Sequence, residues 1–181
     1  MKVDKHTGLL QGARQCPSPN YNDRPDPSDI TLLVIHNISL PPEQFGSDDI
    51  DCFFTNCLDT SKHPYFQEIC QMQVSSHLLI RRDGEVVQYV PFHRRAWHAG
   101  ESEFEGRPNC NDFSIGIELE GTDTIPYESI QYQRLQEVIH LLQQAYPAIT
   151  RERIVGHCHI APGRKTDPGE VFDWQQLLAG L

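Results

Sequence analysis

The stretch Ser114–Glu120 alternates strictly, with Ile115, Ile117 and Leu119 on one side of an extended chain and Ser114, Gly116, Glu118 and Glu120 on the other. A strand with this pattern buries its apolar face in a core. Its other face has small residues that leave room for a ligand and carboxylates that can reach it. Residues 31–35 form a short continuous apolar run, expected of a strand buried on both faces, so the sheet needs a layer on each side. Ile50, Phe53, Phe54, Cys57 and Leu58 recur at helical spacing behind Ser47 as N-cap. In residues 127–146, Leu135, Val138, Ile139, Leu142 and Tyr146 make one apolar stripe that Pro147 ends. Residues 74–81 and 86–90 read as a hairpin around Asp83-Gly84. A brief extended segment at 154–155 and a helix over 173–181 complete the order. The fold class predicted is α/β: a mixed central β-sheet flanked by α-helices, one domain over residues 31–181. Residues 1–30, rich in Pro, Asn and Asp, read as an irregular arm that either wraps onto the body or hangs free.

At 181 residues the chain is long enough for one well-packed core. Its 15 Lys and Arg against 25 Asp and Glu give a formal charge of -10, which argues against a nucleic-acid or anionic-membrane binder. A small anionic substrate stays open, because a local pair such as Arg164-Lys165 can override the distant field. Lys2, Asp4 and Lys5 put charges where a secretory signal needs an apolar core, and no run reaches membrane-spanning length. A cytoplasmic protein is expected, with its six cysteines reduced.

Residues 157–169 gather His157, His159, Arg164, Lys165 and Asp167 on a stretch broken by Pro162, Gly163, Pro168 and Gly169, which reads as a loop. An imidazole and a carboxylate there are two ligands of a zinc site, and a catalytic zinc needs one more protein ligand. His36, at the end of the apolar run, is the donor upstream. Either His157 or His159 can ligate while the other lies at the surface. Glu118 is a carboxylate placed to act beside a metal, with Glu120 the weaker candidate on the same face. Lys165 is an ordinary solvated cation or an oxyanion stabiliser. His77 and His98 read as structural or substrate-contact imidazoles. Trp97 offers a flat surface that suits a sugar, although core packing is the commoner use of Trp. Arg94 and Arg95 read as a solvated charge run.

Five blocks, at residues 34–42, 63–66, 95–100, 110–123 and 157–169, together resemble the zinc N-acetylmuramoyl-L-alanine amidases, a family that includes phage-type amidases and is related to peptidoglycan recognition proteins. The likeness runs from about Cys16 to Trp174. It implies Zn2+ as cofactor, held by His36, His157 and Asp167, with Glu118 as proton acceptor and Lys165 as transition-state stabiliser. Asn37, Trp97, His98 and Arg107 are the implied substrate contacts. An aspartate as third ligand matches the branch that cleaves 1,6-anhydro-N-acetylmuramyl-L-alanine, many relatives having a cysteine there. The chain departs from that branch at His159, where Asn or Asp is usual, and at Gln73 and Asn109, where some members carry arginines suited to stem-peptide carboxylates. The expected substrate is a small-molecule muropeptide handled by a monomeric enzyme in cell-wall recycling, with no nucleic-acid or membrane partner. The alternatives are an exported amidase of polymeric peptidoglycan and a non-catalytic recognition module.

Overall fold

The computed structural model describes residues 1–181. Its central sheet has six strands, β1 (Arg14–Gln15), β2 (Leu32–Ile38), β3 (Leu78–Ile80), β4 (Val86–Gln88), β5 (Ser114–Glu120) and β6 (Ile154–Gly156), in the order β6-β2-β5-β3-β4-β1. Every neighbouring pair is parallel except the β3–β4 hairpin, so the sheet is mixed. Five helices accompany it: α1 (Asp49–Phe54), α2 (Pro64–Ile69), α3 (Ser129–Ala145), α4 (His157–Ile160) and α5 (Trp174–Ala179).

One face of the sheet packs on α3. Leu33 and Ile35 of β2 and Ile115, Ile117 and Leu119 of β5 join Leu135, Val138, Ile139 and Leu142 in the main core, all with no exposed surface. Truncating such a leucine to alanine costs about 2–5 kcal/mol, because the cavity left cannot fully collapse. Gln131 registers the helix on the sheet: its Oε1 accepts the Glu128 amide at 2.9 Å, and its Nε2 donates to the carbonyls of Ile80 and Glu120.

The opposite face carries two separate apolar clusters. Ile50, Phe53, Phe54, Phe66 and Ile69 of α1 and α2 cover Leu79 and Val87. Leu32 and Val34 of β2 pack with Ala99, Cys110, Phe113 and Ile160. By strand alternation His36 and Glu118 lie on this second face. Apolar packing therefore surrounds the polar site without filling it.

Several elements differ from the sequence reading. The first thirty residues contain strands: Lys2–Asp4 pairs with Leu9–Gln11, β1 extends the central sheet beside β4, and Tyr21–Asp23 pairs with Arg94–Ala96. Leu10 is fully buried in the main core. Arg24 donates to the carbonyls of Phe92, Asn111, Asp112 and Ser114. The guanidinium thereby satisfies backbone groups that no strand partner reaches. Of Arg94 and Arg95, read as a solvated charge run, Arg94 is solvent-exposed in a surface pair with Asp23, whereas Arg95 is part-buried against Asp112. Helix α2 has His63 as N-cap, its Nδ1 accepting the Tyr65 amide at 3.2 Å, and Pro64 at its first position. Only Leu78–Ile80 of residues 74–81 is strand, and Ser47 stands one residue before the α1 cap. All six cysteines are free thiols. No helix is long and apolar enough to cross a membrane.

Candidate metal centre

His36 does not end its strand. It lies within β2, which continues through Asn37 and Ile38, and it is 2% exposed. Parallel pairing sets it beside Glu118 of β5. His157 is equally buried, but its backbone is helical rather than looped: β6 delivers the chain at Gly156, and His157 begins the single turn α4. Asp167 comes from the segment that returns over this turn. Its carbonyl accepts the Cys158 amide at 3.0 Å, and the next carbonyl, that of Pro168, accepts the Tyr127 hydroxyl at 2.7 Å. Gly169 allows the return, because its φ is +85° and a Cβ there would lie 2.2 Å from the Asp123 backbone.

The three side chains meet. His36 Nδ1, His157 Nδ1 and Asp167 Oδ2 stand 3.0 Å from one another. Hydrogen bonds on the far side of each ring fix which nitrogen carries the proton. His157 Nε2 faces the Ala99 carbonyl at 3.0 Å, an acceptor only, so Nε2 holds the proton and Nδ1 a lone pair. The other ring is set through a relay. Ser114 Oγ donates to the Cys110 carbonyl at 2.6 Å, so it accepts from His98 Nε2 at 3.1 Å, and His98 Nδ1 then accepts from His36 Nε2 at 2.9 Å. His36 Nδ1 is left with a lone pair as well. Burial also lowers the His36 pKa to about 4, which keeps the ring neutral. Two lone pairs and a carboxylate oxygen thus converge, an arrangement that calls for a cation between them. The triad can bind a metal ion.

Glu118 is 9% exposed, and its Oε2 is buried with no hydrogen-bond partner. Burial, with the Asp167 charge adding to it, pushes its carboxyl well above the ordinary glutamate range, and Lys165 opposes the shift. Around it a cavity of about 440 Å³ is lined by polar side chains, glycine and proline, among them His36, Asn37, His98, Glu118, Asp123, His157, Thr166 and Asp167. An unpaired carboxylate beside a cation site in an open cavity can take a proton from a bound water.

The other sequence candidates separate. His159 points away from the centre: its Nδ1 accepts the Gly156 amide at 2.9 Å, and its ring lies 5.4 Å from that of Trp174. Glu120 is a structural carboxylate that accepts the amides of Gly46 and Arg82. Gly116 does not hold open a ligand space. The His98 ring fills it, since a Cβ on Gly116 would lie 2.5 Å from that ring. His98 lines the cavity, yet both its nitrogens are engaged in the relay. His77 is structural, accepting the Gly116 amide through Nδ1 and donating from Nε2 to the Arg94 carbonyl. Asn37 lines the cavity and donates to Asp123 at 2.8 Å. Trp97 and Arg107 lie outside the lining: the Trp97 indole donates to Asn22, while Arg107 pairs with Asp29 and covers the Phe113 ring. Lys165 is exposed and lines an adjoining cavity of about 790 Å³ that shares Asp123, Thr124 and Thr166 with the first. Sequence reasoning missed Asp123 as a cavity residue and Ser114 as the end of the relay. The alternation had placed Ser114 on the right face, but a serine carries no signal of its own.

Known proteins resemble the chain in sequence and in fold. Residues 26–170 match the family model described as N-acetylmuramoyl-L-alanine amidase. The chain is 60% identical over 170 residues to the 1,6-anhydro-N-acetylmuramyl-L-alanine amidase AmpD of Escherichia coli (strain K12), spanning 94% of this chain and 92% of that protein. A crystal structure of a selenomethionine derivative of AmpD, 56% identical, superposes with a TM-score of 0.96 over 100% of this chain and 99% of that one. More distant is the complex of the Escherichia coli amidase AmiD with anhydro-N-acetylmuramic acid-L-Ala-D-gamma-Glu-L-Lys. It is 30% identical, with a TM-score of 0.59, and the match spans 95% of this chain and 60% of that one.

Proposed function

The chain belongs to the N-acetylmuramoyl-L-alanine amidase family, and on that premise we propose that it hydrolyses the amide joining 1,6-anhydro-N-acetylmuramic acid to the L-alanine of a stem peptide. The observation that carries the reading is the buried His36, His157 and Asp167 triad beside the unpartnered Glu118 carboxylate, in a chain 60% identical to an amidase of that specificity.

We assign zinc to the triad. Two imidazole nitrogens and one carboxylate oxygen are a catalytic zinc set, and donors 3.0 Å apart are spaced close to the roughly 3.3 Å edge of a tetrahedral shell with bonds of about 2.0–2.1 Å. When bound, zinc supplies Lewis acidity, lowering the pKa of a water ligand from about 15.7 to about 7 and polarising the scissile carbonyl.

Glu118 accepts the proton of the attacking water as its oxygen adds to the lactyl carbonyl carbon. The same carboxyl returns that proton to the alanine nitrogen as the C–N bond breaks, leaving a carboxylic acid and a free amine, which become carboxylate and ammonium when the acid proton passes to the amine. A carboxyl raised towards the working pH suits a group that takes and gives back one proton. The Lys165 ammonium offsets the developing oxyanion, an interaction whose loss typically slows such steps by about 100- to 1,000-fold. His98 orients His36 through the relay, and Asn37 contacts substrate within the cavity. Trp97 and Arg107 meet only a substrate that extends beyond it. We place the reaction in the cytoplasm, on soluble muropeptides released by wall turnover, with a monomer as the working form.

The test is incubation of zinc-loaded protein with anhydro-muropeptide, with ordinary muramyl peptide and with intact sacculi, each with and without a chelator, and identification of products by mass. Release of the free stem peptide from the anhydro substrate, lost with chelator and strongly preferred over the other two substrates, is the expected result. Comparable specificity constants on sacculi point to a wall-degrading amidase. Binding without cleavage points to a recognition module.

A further inference from the structure

Helix α1 ends in a Schellman motif. The Cys57 amide donates to the Cys52 carbonyl at 2.8 Å, the Asn56 amide donates to the Phe53 carbonyl at 3.2 Å, and Asn56 takes the left-handed conformation with φ 61°. In this motif the residue in the last turn and the second residue past the cap face one another, and an apolar contact commonly joins them. Here both positions are cysteines. Asn56 is locked in place by reciprocal amide hydrogen bonds with Asn20, at 2.9 and 2.8 Å. The Cys57 sulfur lies 3.1 Å from Thr55 Oγ1, whose own proton goes to the Asp51 carbonyl at 2.7 Å, so the sulfur is held against the end of the helix.

The two thiols differ in character. Cys57 is exposed, whereas Cys52 is half-buried. Burial first, and then the adjoining Cys57 sulfur, push the Cys52 thiol up to about 11. Cys57 is therefore the accessible thiol that meets a reagent, and Cys52 is the one placed to resolve the product. Neither lines the cavity at the metal centre.

We propose that Cys52 and Cys57 form a redox-active dithiol that closes to an intramolecular disulfide on reaction with a low-molecular-weight disulfide such as glutathione disulfide. The Cys57 thiolate attacks one sulfur of glutathione disulfide, forming a mixed disulfide and releasing one glutathione thiolate. The Cys52 thiolate then attacks the Cys57 sulfur, forming the Cys52–Cys57 bond and releasing the second glutathione thiolate. Two protein thiols are oxidised, one glutathione disulfide is reduced to two glutathione molecules, and the two thiol protons finish on them. In a reducing compartment such a bond is transient, as expected of a redox-responsive pair rather than a structural staple.

The test uses the full chain, reduced and freed of reductant, then exposed to glutathione disulfide at neutral pH and followed by intact mass and peptide mapping. The mass is expected to fall by two hydrogens with no glutathione retained, the bond to map to Cys52–Cys57, and dithiothreitol to reverse it. Cys52→Ser is expected to retain one glutathionyl group on Cys57. In Cys57→Ser, the Cys52 thiol should react at least about 10-fold more slowly than Cys57 does in the parent, because Cys52 is half-buried where Cys57 is exposed, and burial both shields its sulfur and raises its pKa. A bond from Cys57 to the neighbouring Cys16, a glutathionyl group that persists on Cys57 of the parent chain, or two thiols still free after the exposure overturns the proposal.

Discussion

His36 and Glu118 are register partners on the parallel strands β2 and β5, side by side on one face of the sheet. The candidate metal ligand and the proposed proton acceptor are thus set relative to each other by backbone hydrogen bonds between adjacent inner strands of the sheet. Only His157 and Asp167 reach the centre from a helical turn and a return segment, and both segments are tied down by the Cys158 amide and the Tyr127 hydroxyl.

Metal content should separate the two imidazoles that sequence alone could not. His36→Ala, His157→Ala and Asp167→Ala are expected to lose stoichiometric zinc, each removing one of three converging donors, while His159→Ala keeps it. Elemental analysis after dialysis decides this, and full zinc in the first three variants would refute the assigned centre.

Glu118→Gln should retain zinc and lose turnover by about 100- to 10,000-fold, the usual contribution of general acid–base catalysis. The same change should stabilise the metal-free protein. The Glu118 pKa is raised in the folded state, so its contribution to stability is present below the ordinary glutamate value and is lost as pH rises through the raised one. Glutamine removes that loss. In chelator, the variant should melt above the parent at pH 8, and the gap should close as pH falls towards 4.5. A gap that is absent at pH 8, or that widens on acidification, contradicts the account of this site.

Gly116→Ala should weaken metal binding although residue 116 touches no metal. Its Cβ would displace the His98 ring, and the His36 tautomer depends on that ring. Loss of such outer support typically costs about 10- to 100-fold in affinity. Ser114→Ala should show a smaller loss of the same sign. Competition against a chromophoric chelator measures both, and parent-like affinity in Gly116→Ala would remove the relay from the argument.

Acid should destabilise the metal-free protein through its buried imidazoles. Burial lowers His36 to about 4 and holds His77 and His98 well below the ordinary histidine value. Between those values and about 6.5 the unfolded chain binds more protons than the folded one, so stability present above pH 6.5 is lost as pH falls. Urea midpoints in chelator should drop from pH 7 to pH 5. His77 lies outside the triad and faces Arg24, so His77→Asn should flatten that drop without removing a ligand.

The sequence by itself determined the main helix, the triad's residue types and the sheet apart from its edge strand β1. Period-two alternation in Ser114–Glu120 and the unbroken run before His36 state which faces are buried, because burial acts on side chains whose direction the strand repeat fixes. Likeness to known amidases then chose His157 over His159. What only the tertiary structure decided depends on contacts between segments far apart in the chain. Arg24 serves carbonyls up to 90 positions away, and Ser114 orients His36 through His98. No local pattern marks either residue. Gly116 looked like space for a ligand, because a missing side chain reads the same whether solvent, substrate or an imidazole fills the gap. Helix α2 was hidden for another reason: its cap is a histidine rather than the usual Ser, Thr, Asp or Asn, and six residues are too few to show a helical period.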